Sequence, residues 1–363
     1  MKPVFPPIPA GQGRIRIGSG AGLAREIQDD AQGHIWHLLQ LLDGTRTTDQ
    51  LLTQMREFDP VLERHDIEAA LGVMESSGFL EDADAPGPID RFSDSERERY
   101  HRNLEFFGYF ADSSTTSADF QLRLKQARVT VLGLGGLGTN VALSLAAVGV
   151  GSIDLVDHDV VELANLNRQI LYTEGDIGRP KAAVAAERLK QMNPNVDVAG
   201  FQEKMESPAD CQRHMTDSHL LICAADRPRI LLQRWLNHAS LATGTPWLRG
   251  ANDGLMVNLQ LHVPHQTACL TCIEIRQRDR LEFQTMQDYI IKEMEERTVN
   301  PCTSPVAGMV GHLAALETVK HLTGIADAVS RGSRLSVDLL RMTTTITPVE
   351  RDPACPDCSP AAS

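Results

Sequence analysis

VTVLGLGGLGTNVALSLAAVGV, residues 129–150, reads as an apolar strand, a glycine turn and an apolar helix in direct succession. A strand that delivers Gly133-Leu134-Gly135-Gly136-Leu137-Gly138 to a helix start suits a phosphate group. Positions without side chains let the backbone approach the ligand, and the helix N-terminus adds free N–H groups and partial positive charge. SIDLVDHD, residues 152–159, is the next strand. Asp157 at its end lies about twenty residues past the turn, where a carboxylate can accept hydrogen bonds from ribose hydroxyls. Asp159 follows it in the same nucleotide-binding set. Taken alone, the pattern fits an NAD or FAD enzyme as well as other nucleotide binders.

The residues beyond decide between them. Asn165-Leu166-Asn167-Arg168-Gln169 is followed by Gly178-Arg179-Pro180-Lys181. Hydride transfer has no use for an Arg and a Lys just after the ribose strand, whereas a triphosphate does. A guanidinium forks onto phosphate oxygens and an ammonium neutralises a second group. HLLICAAD, residues 219–226, reads as a later strand, ending in Asp226 at the sheet edge where ligands bind. A carboxylate there is a natural magnesium ligand. With AAVAAERLKQMNP (182–194) and GHLAALETVKHL (311–322) as helices, the chain from about residue 96 alternates strand and helix, the pattern of an open, mostly parallel α/β sheet.

Upstream, RIRIGSGAGLAREI (14–27) reads as a short hairpin, followed by three helical patterns. Ile35, Leu38, Leu39 and Leu42 stripe the first, which stops at Asp43-Gly44. Thr47 or Thr48 caps the second, with Leu51, Leu52 and Met55 inward; Ile67, Leu71 and Met74 line the third. Gly78-Phe79-Leu80 is expected to close the unit as a short strand. Residues 1–85 thus form one domain, 86–95 a linker and 96–363 a second domain.

Composition limits what the chain can do. It has 363 residues, 42% hydrophobic and 23% charged, which is ordinary for a globular protein. No apolar run approaches the roughly 18–20 residues a bilayer requires, and the N-terminus lacks a secretory signal's apolar core, so cytoplasmic residence is expected. A net charge of −13 argues against nucleic acid. Of seven cysteines, Cys211, Cys223 and Cys302 stand alone. The others form Cys269-Leu270-Thr271-Cys272 and Cys355-Pro356-Asp357-Cys358, four thiolates suited to a closed tetrahedral zinc site. The long gap between the pairs makes such a metal a staple for the C-terminal tail.

These motifs in combination resemble the ThiF/MoeB/HesA family, which includes the ubiquitin-activating enzymes, over about residues 95–358. The resemblance implies a Rossmann-like adenylating domain with structural zinc. It implies that ATP is held by Gly133, Gly135, Gly136, Gly138 and Asp157, and that Asn165, Arg168, Gln169 and Lys181 contact the phosphates. Magnesium would sit on Asp226. Arg99-Tyr100-His101-Arg102 is similar to the family's RYxRQ element, with Asn103 in place of the usual Gln. That likeness assigns Arg102 to a neighbouring subunit's ATP and implies a homodimer. The family's Arg five residues after the magnesium Asp falls on Leu231, leaving Arg229 or Arg234 as substitutes. Aligned on Gly308, Gly311 and Leu316-Glu317, no cysteine stands where the family thiol sits; Cys302 lies about five residues late. The sulfur-relay reading is therefore weakened.

Residues 1–85 resemble PqqD-like modules, small winged-helix domains that bind leader peptides of ribosomally made natural products. With seven Lys/Arg against fourteen Asp/Glu, a DNA-binding winged helix is disfavoured. Fused to an adenylating domain, the arrangement is similar to pantocin-type and microcin-C-type peptide-modifying enzymes. It implies activation of a precursor-peptide carboxylate, with residues 276–300 as a lid. A sulfur-carrier adenylyltransferase and an inactive leader-delivery scaffold are the alternatives; intact Arg168, Lys181 and Asp226 speak against the scaffold.

Overall fold

Ile15 and Ile17 are buried while Arg14 between the same turns is exposed, the alternation of a half-covered strand. In the computed structural model, which describes residues 1–20, 22, 24–83, 87–112, 114–277, 289 and 301–359, that segment is the middle of a three-stranded antiparallel sheet. The chain divides into two compact units, Met1–Leu122 and Arg123–Ser363.

The first unit orders β1 (Pro7–Gly11), β2 (Arg14–Ile17) and β3 (Arg25–Gln28) side by side. β1 was not apparent in the sequence because Pro7 and Pro9 argue against a strand. They are tolerated because β1 is an edge, where a missing N–H costs no ladder bond. β3 is the other edge. Asp29 N–H reaches Gly13 O at 2.8 Å, so by antiparallel alternation Ile27 and Arg25 direct their N–H groups at β2, while Glu26 and Gln28 direct theirs away.

The three helices lie where the apolar spacing puts them: α1 (His34–Leu41), α2 (Thr48–Phe58) and α3 (Arg64–Ser76). Thr47 is the cap of α2, in a reciprocal box with Gln50. Leu38, Leu39, Leu51, Met55, Ile67 and Met74 pack with Ile15, Ile17 and Phe5. The expected strand at Gly78-Phe79-Leu80 does not form. The Phe79 ring turns into the core, 5.2 Å from that of Phe5, and its carbonyl accepts a hydrogen bond from Lys2 N at 3.0 Å. α4 (Asp94–Gly108), boxed by Ser93 and Glu96, follows within this unit, and α5 (Ser117–Gln126) runs across the division.

His34 joins α1 to two carboxylates, with Nδ1 2.8 Å from Asp30 and Nε2 2.9 Å from Asp59. Burial lowers its pKa, but the hydrogen bonds and charges of Asp30 and Asp59 outweigh this and raise it above 6.5. A raised folded-state value stabilises below the unfolded pKa and is lost as pH climbs through the folded one. Wild type is therefore expected to out-melt His34→Gln in thermal scans well below pH 6.5, with the gap closing at alkaline pH. A constant gap would contradict the charged bridge.

In the second unit, Val129, Val131, Ile153, Leu155 and Leu220–Ile222 are all but inaccessible to solvent, so their strands need cover on both faces. They lie in an eight-stranded sheet ordered β11-β10-β9-β8-β7-β4-β5-β6. The ranges are β4 (Arg128–Leu132), β5 (Ser152–Val156), β6 (Asp197–Phe201), β7 (Leu220–Cys223), β8 (Trp247–Asp253), β9 (Met256–His262), β10 (Ser333–Asp338) and β11 (Thr343–Pro348). β6, β5, β4, β7 and β8 pair in parallel, whereas β8 to β11 alternate antiparallel. The helices are α6 (Gly136–Val148), α7 (Lys181–Met192), α8 (Pro208–Met215), α9 (Leu231–Thr243), α10 (Leu270–Gln277) and α11 (Ser304–Thr323). α11 lies on α6 so closely that a Cβ at Gly311 would stand 2.6 Å from Asn140 Cβ, which accounts for that glycine by packing. After β4 the chain moves to β5 on one side, and after β6 it crosses to β7 on the other. The crevice at the C-terminal ends of β4 and β7 is therefore the switch point where such sheets bind ligands. Among the described residues, no helix is long and apolar enough to cross a membrane.

Candidate functional site

The glycine turn lies at that switch point, and its glycines meet distinct demands. Gly133 has φ +92°, and a Cβ there would stand 2.5 Å from Ala225 N on the turn after β7. A Cβ on Gly136 would meet Ala307 Cβ at 2.9 Å and Arg168 Cγ at 3.3 Å. The turn therefore packs against the β7 exit, the start of α11 and the Arg168 stem. Its Leu134 peptide is held at both ends: N–H donates to Asp157 Oδ2 at 2.6 Å, and the carbonyl accepts from Tyr172 Oη at 3.1 Å. Burial, and then the charges of Asp157, Asp159 and Asp176, push the Tyr172 phenol far up, so it remains a donor. Sequence reading missed Tyr172; its only signal was its place one turn after Gln169.

Asp157 is buried, and its other oxygen accepts from Asp159 N at 2.8 Å. Asp159 in turn takes the Lys181 ammonium at 2.9 Å. Lys181, the first residue of α7, is 5% exposed. Asn165 fixes the intervening loop by accepting from Glu162 N at 3.0 Å. Arg168 is half-buried and donates to Ala164 O and Asn167 Oδ1 at 3.0 and 2.9 Å. Gln169 is 2% exposed, its amide nitrogen 3.8 Å from a Cβ built on Gly135, and its Oε1 is buried without a protein partner. A buried, unsatisfied acceptor beside a glycine turn fits an incoming hydrogen-bond donor. Asp226 is exposed just past the β7 turn whose Ala225 abuts Gly133.

The structure therefore brings Gly133, Gly135, Gly136, Gly138, Asp157, Asp159, Asn165, Arg168, Gln169 and Lys181 around one crevice, with Asp226 on its rim. Arg102 is on α4 in the other unit, exposed and 2.6 Å from Glu105. Of the candidates for the missing Arg, Arg234 is held by Glu274 at 3.1 Å. Cys302 is half-buried just ahead of α11; burial raises its thiol pKa, opposed by the charge of Arg168. The lid expected at 276–300 lies, apart from a few positions, outside the described residues.

The four paired cysteines are all buried. Cys269 Sγ is 3.8 Å from Cys272 and 3.6 Å from Cys355, and Cys272 is 3.4 Å from Cys358. A disulfide needs about 2.05 Å. Zinc with Zn–S bonds of about 2.3 Å sets tetrahedral sulfurs about 3.8 Å apart, so these donors fit it. Asp352 N donates to Cys272 Sγ at 3.3 Å, and Asn237 Oδ1 accepts from Leu270 N at 2.8 Å, support of the kind thiolate sites require. All four positions are taken by protein, which leaves a bound ion no catalytic opening. One zinc per chain is expected by metal analysis. Cys355→Ser should cost about 4 kcal/mol or more of stability while changing ATP affinity little. Unchanged melting after chelation would refute the staple.

A parallel-strand switch point carrying a glycine turn, a strand-end Asp and flanking cations defines a nucleotide-handling α/β protein. The ThiF family profile matches residues 101–357. The chain is 35% identical over 208 residues to the sulfur carrier protein ThiS adenylyltransferase of Escherichia coli K12, covering 57% of this chain and 76% of that protein. It is 32% identical to protein HesA of Leptolyngbya boryana, covering 73% and 86%. Among solved structures, E. coli MccB superposes with TM-score 0.81 at 20% identity, over 100% of this chain and 97% of that one. MccB has been solved with ATP and, described as a microcin C7 biosynthetic enzyme, with N-formylated MccA. The chain belongs to the ThiF family and is an ATP-dependent adenylyltransferase.

Proposed function

We propose that this enzyme adenylates a carboxylate of a ribosomally made precursor peptide, as a step toward cyclisation in natural-product biosynthesis. The observation that carries the reading is the N-terminal unit. The family profile begins only at residue 101, yet the likeness to MccB spans the whole chain and so includes this unit. The unit also offers the β3 edge, with the Glu26 and Gln28 N–H groups turned outward, the geometry that takes up an extended peptide as an added strand. Residues 1–85 are the leader-recognition domain in this reading, with 86–95 as linker and 96–363 as the adenylation domain.

Carboxylate and triphosphate repel, so the site must screen charge and align an acyl oxygen on the α-phosphorus. Arg168 and Lys181 face the phosphates, Asp226 would hold a magnesium ion that screens their charge, and the α6 N-terminus supplies N–H donors. The carboxylate oxygen forms a bond to the α-phosphorus as the bond to pyrophosphate breaks. No general base is needed, because a carboxylate is nucleophilic at neutral pH. An amide or amine nitrogen of the peptide then attacks the acyl carbon, and AMP leaves. Two copies associate, with Arg102 of each serving the other's ATP.

A sulfur-carrier substrate is the second reading, favoured by the relatives named for it. The test offers the enzyme ATP with a leader-bearing peptide encoded nearby, or with a small protein ending in Gly-Gly. AMP formed only with the carrier would overturn the peptide reading.

A further inference from the structure

The sequence puts Asp159 among the groups that touch the nucleotide, and its contacts tie it to Lys181. Its Oδ2 accepts from Lys181 Nζ at 2.9 Å, and its Oδ1 lies 3.2 Å from His158 Nε2. Its backbone carbonyl accepts from Lys181 N at 2.9 Å, and its own N–H is fixed on Asp157. An unbroken run of hydrogen bonds thus leads from the Leu134 peptide through Asp157 and Asp159 to the Lys181 head.

We propose that Asp159 is a positioning residue: its carboxylate anchors the Lys181 ammonium in the nucleotide site and acts on the nucleotide only through that lysine. The inference rests on the assignment of Lys181 to the phosphates. A lysine head on a four-carbon stem has many rotamers, and fixing them at each binding event costs affinity. Lys181 is buried along its stem, and an ammonium at that depth must be paired. Asp159 pairs it before ligand arrives, and from a partly exposed position that lets a phosphate oxygen join as a second acceptor for the same three-donor head.

The carboxylate is not needed to start α7. The Lys181 N to Asp159 O bond and the Val160–Pro180 bridge are both backbone contacts that do not involve its side chain. The start of α7 and the placement of the head therefore rest on different groups.

The experiment is calorimetric titration of full-length protein with magnesium-ATP, on wild type, Lys181→Met, Asp159→Asn, the double variant and Asp159→Glu. Each single variant, titrated below its melting temperature, is expected to bind ATP about tenfold more weakly, and Asp159→Asn, which strips the buried ammonium of its partner, is expected to melt earlier. The double variant should be no weaker than Lys181→Met alone, because Asp159 has nothing left to position. Asp159→Glu, which keeps the charge, should recover part of the loss. If the double variant loses the product of the two factors, Asp159 contacts the nucleotide or its metal itself and the proposal fails. It also fails if Asp159→Asn, folded at the titration temperature, binds like wild type. Unchanged affinity in Lys181→Met overturns the phosphate assignment of Lys181, and the proposal with it.

Discussion

Asp226→Ala is expected to abolish AMP formation from ATP, and Arg168→Ala to lower it by about 10²–10³-fold, with fold and peptide binding unchanged in both. Asp226 is exposed immediately beyond the β7 turn that abuts Gly133, and the Arg168 stem packs over Gly136. Neither side chain lies in the core, so a loss of activity cannot be blamed on unfolding. Both belong to groups whose value is realised as charge builds on the leaving pyrophosphate, which makes the effect fall on turnover. The assay is AMP release with peptide present. Wild-type turnover in either variant removes that residue from the site, and ADP in place of AMP would mean phosphorylation of the carboxylate instead.

The second large effect concerns the peptide. Glu26→Pro is expected to cut turnover of a leader-bearing precursor by about 10²-fold while ATP binding stays at wild-type strength. A bound leader raises the effective concentration of its own carboxylate at the nucleotide to roughly millimolar, and a substrate without that tether pays the association entropy at each encounter. The substitution is chosen from the ladder: the Glu26 N–H faces away from β2, so proline there blocks an added strand without breaking a β2–β3 bond. What it removes besides are exposed contacts to Arg14 and Arg16 at 3.5 and 3.7 Å, worth little. It is a sharper probe than deleting residues 1–85, because Tyr109 packs on Phe5 at 5.6 Å and belongs to the same core. Equal turnover of tethered and leaderless peptides by wild type would end the leader reading.

The parallel half of the sheet was legible because buried strands read as unbroken apolar runs such as Leu220–Cys223, bounded by glycine or charged turns. The antiparallel half was not. β11 is Thr343–Pro348 with every residue exposed, and β10 alternates serine and charge with Leu335 and Val337, too weak a pattern to claim a strand. Gly78-Phe79-Leu80 misled for the opposite reason: an apolar pair after a glycine looks strand-like, but burial of the Phe79 ring needs no partner strand. In the candidate site, the sequence singled out residues but not their hydrogen-bond partners. Asp157, Asp159 and Lys181 stand out by spacing. That Asp157 holds the turn's own Leu134 peptide depends on how β4 and β5 exit the sheet, which only tertiary structure supplies.

The thiol cluster has a consequence for how the chain comes to be made. Each cross-pair joins sulfurs 86 positions apart, and α11, β10 and β11 all lie between them. At synthesis rates of about 5–20 residues per second, Cys269 and Cys272 wait about 4–17 s for Cys355 and Cys358. During that interval the nascent α/β unit carries two vicinal thiols with no second pair to complete the metal's shell. A zinc ion bound by all four thiolates would have to arrive late or be held provisionally by two sulfurs and water. A zinc-starved or oxidising host would therefore be expected to damage this protein during its production more than after it, when the closed site shields all four sulfurs from solvent.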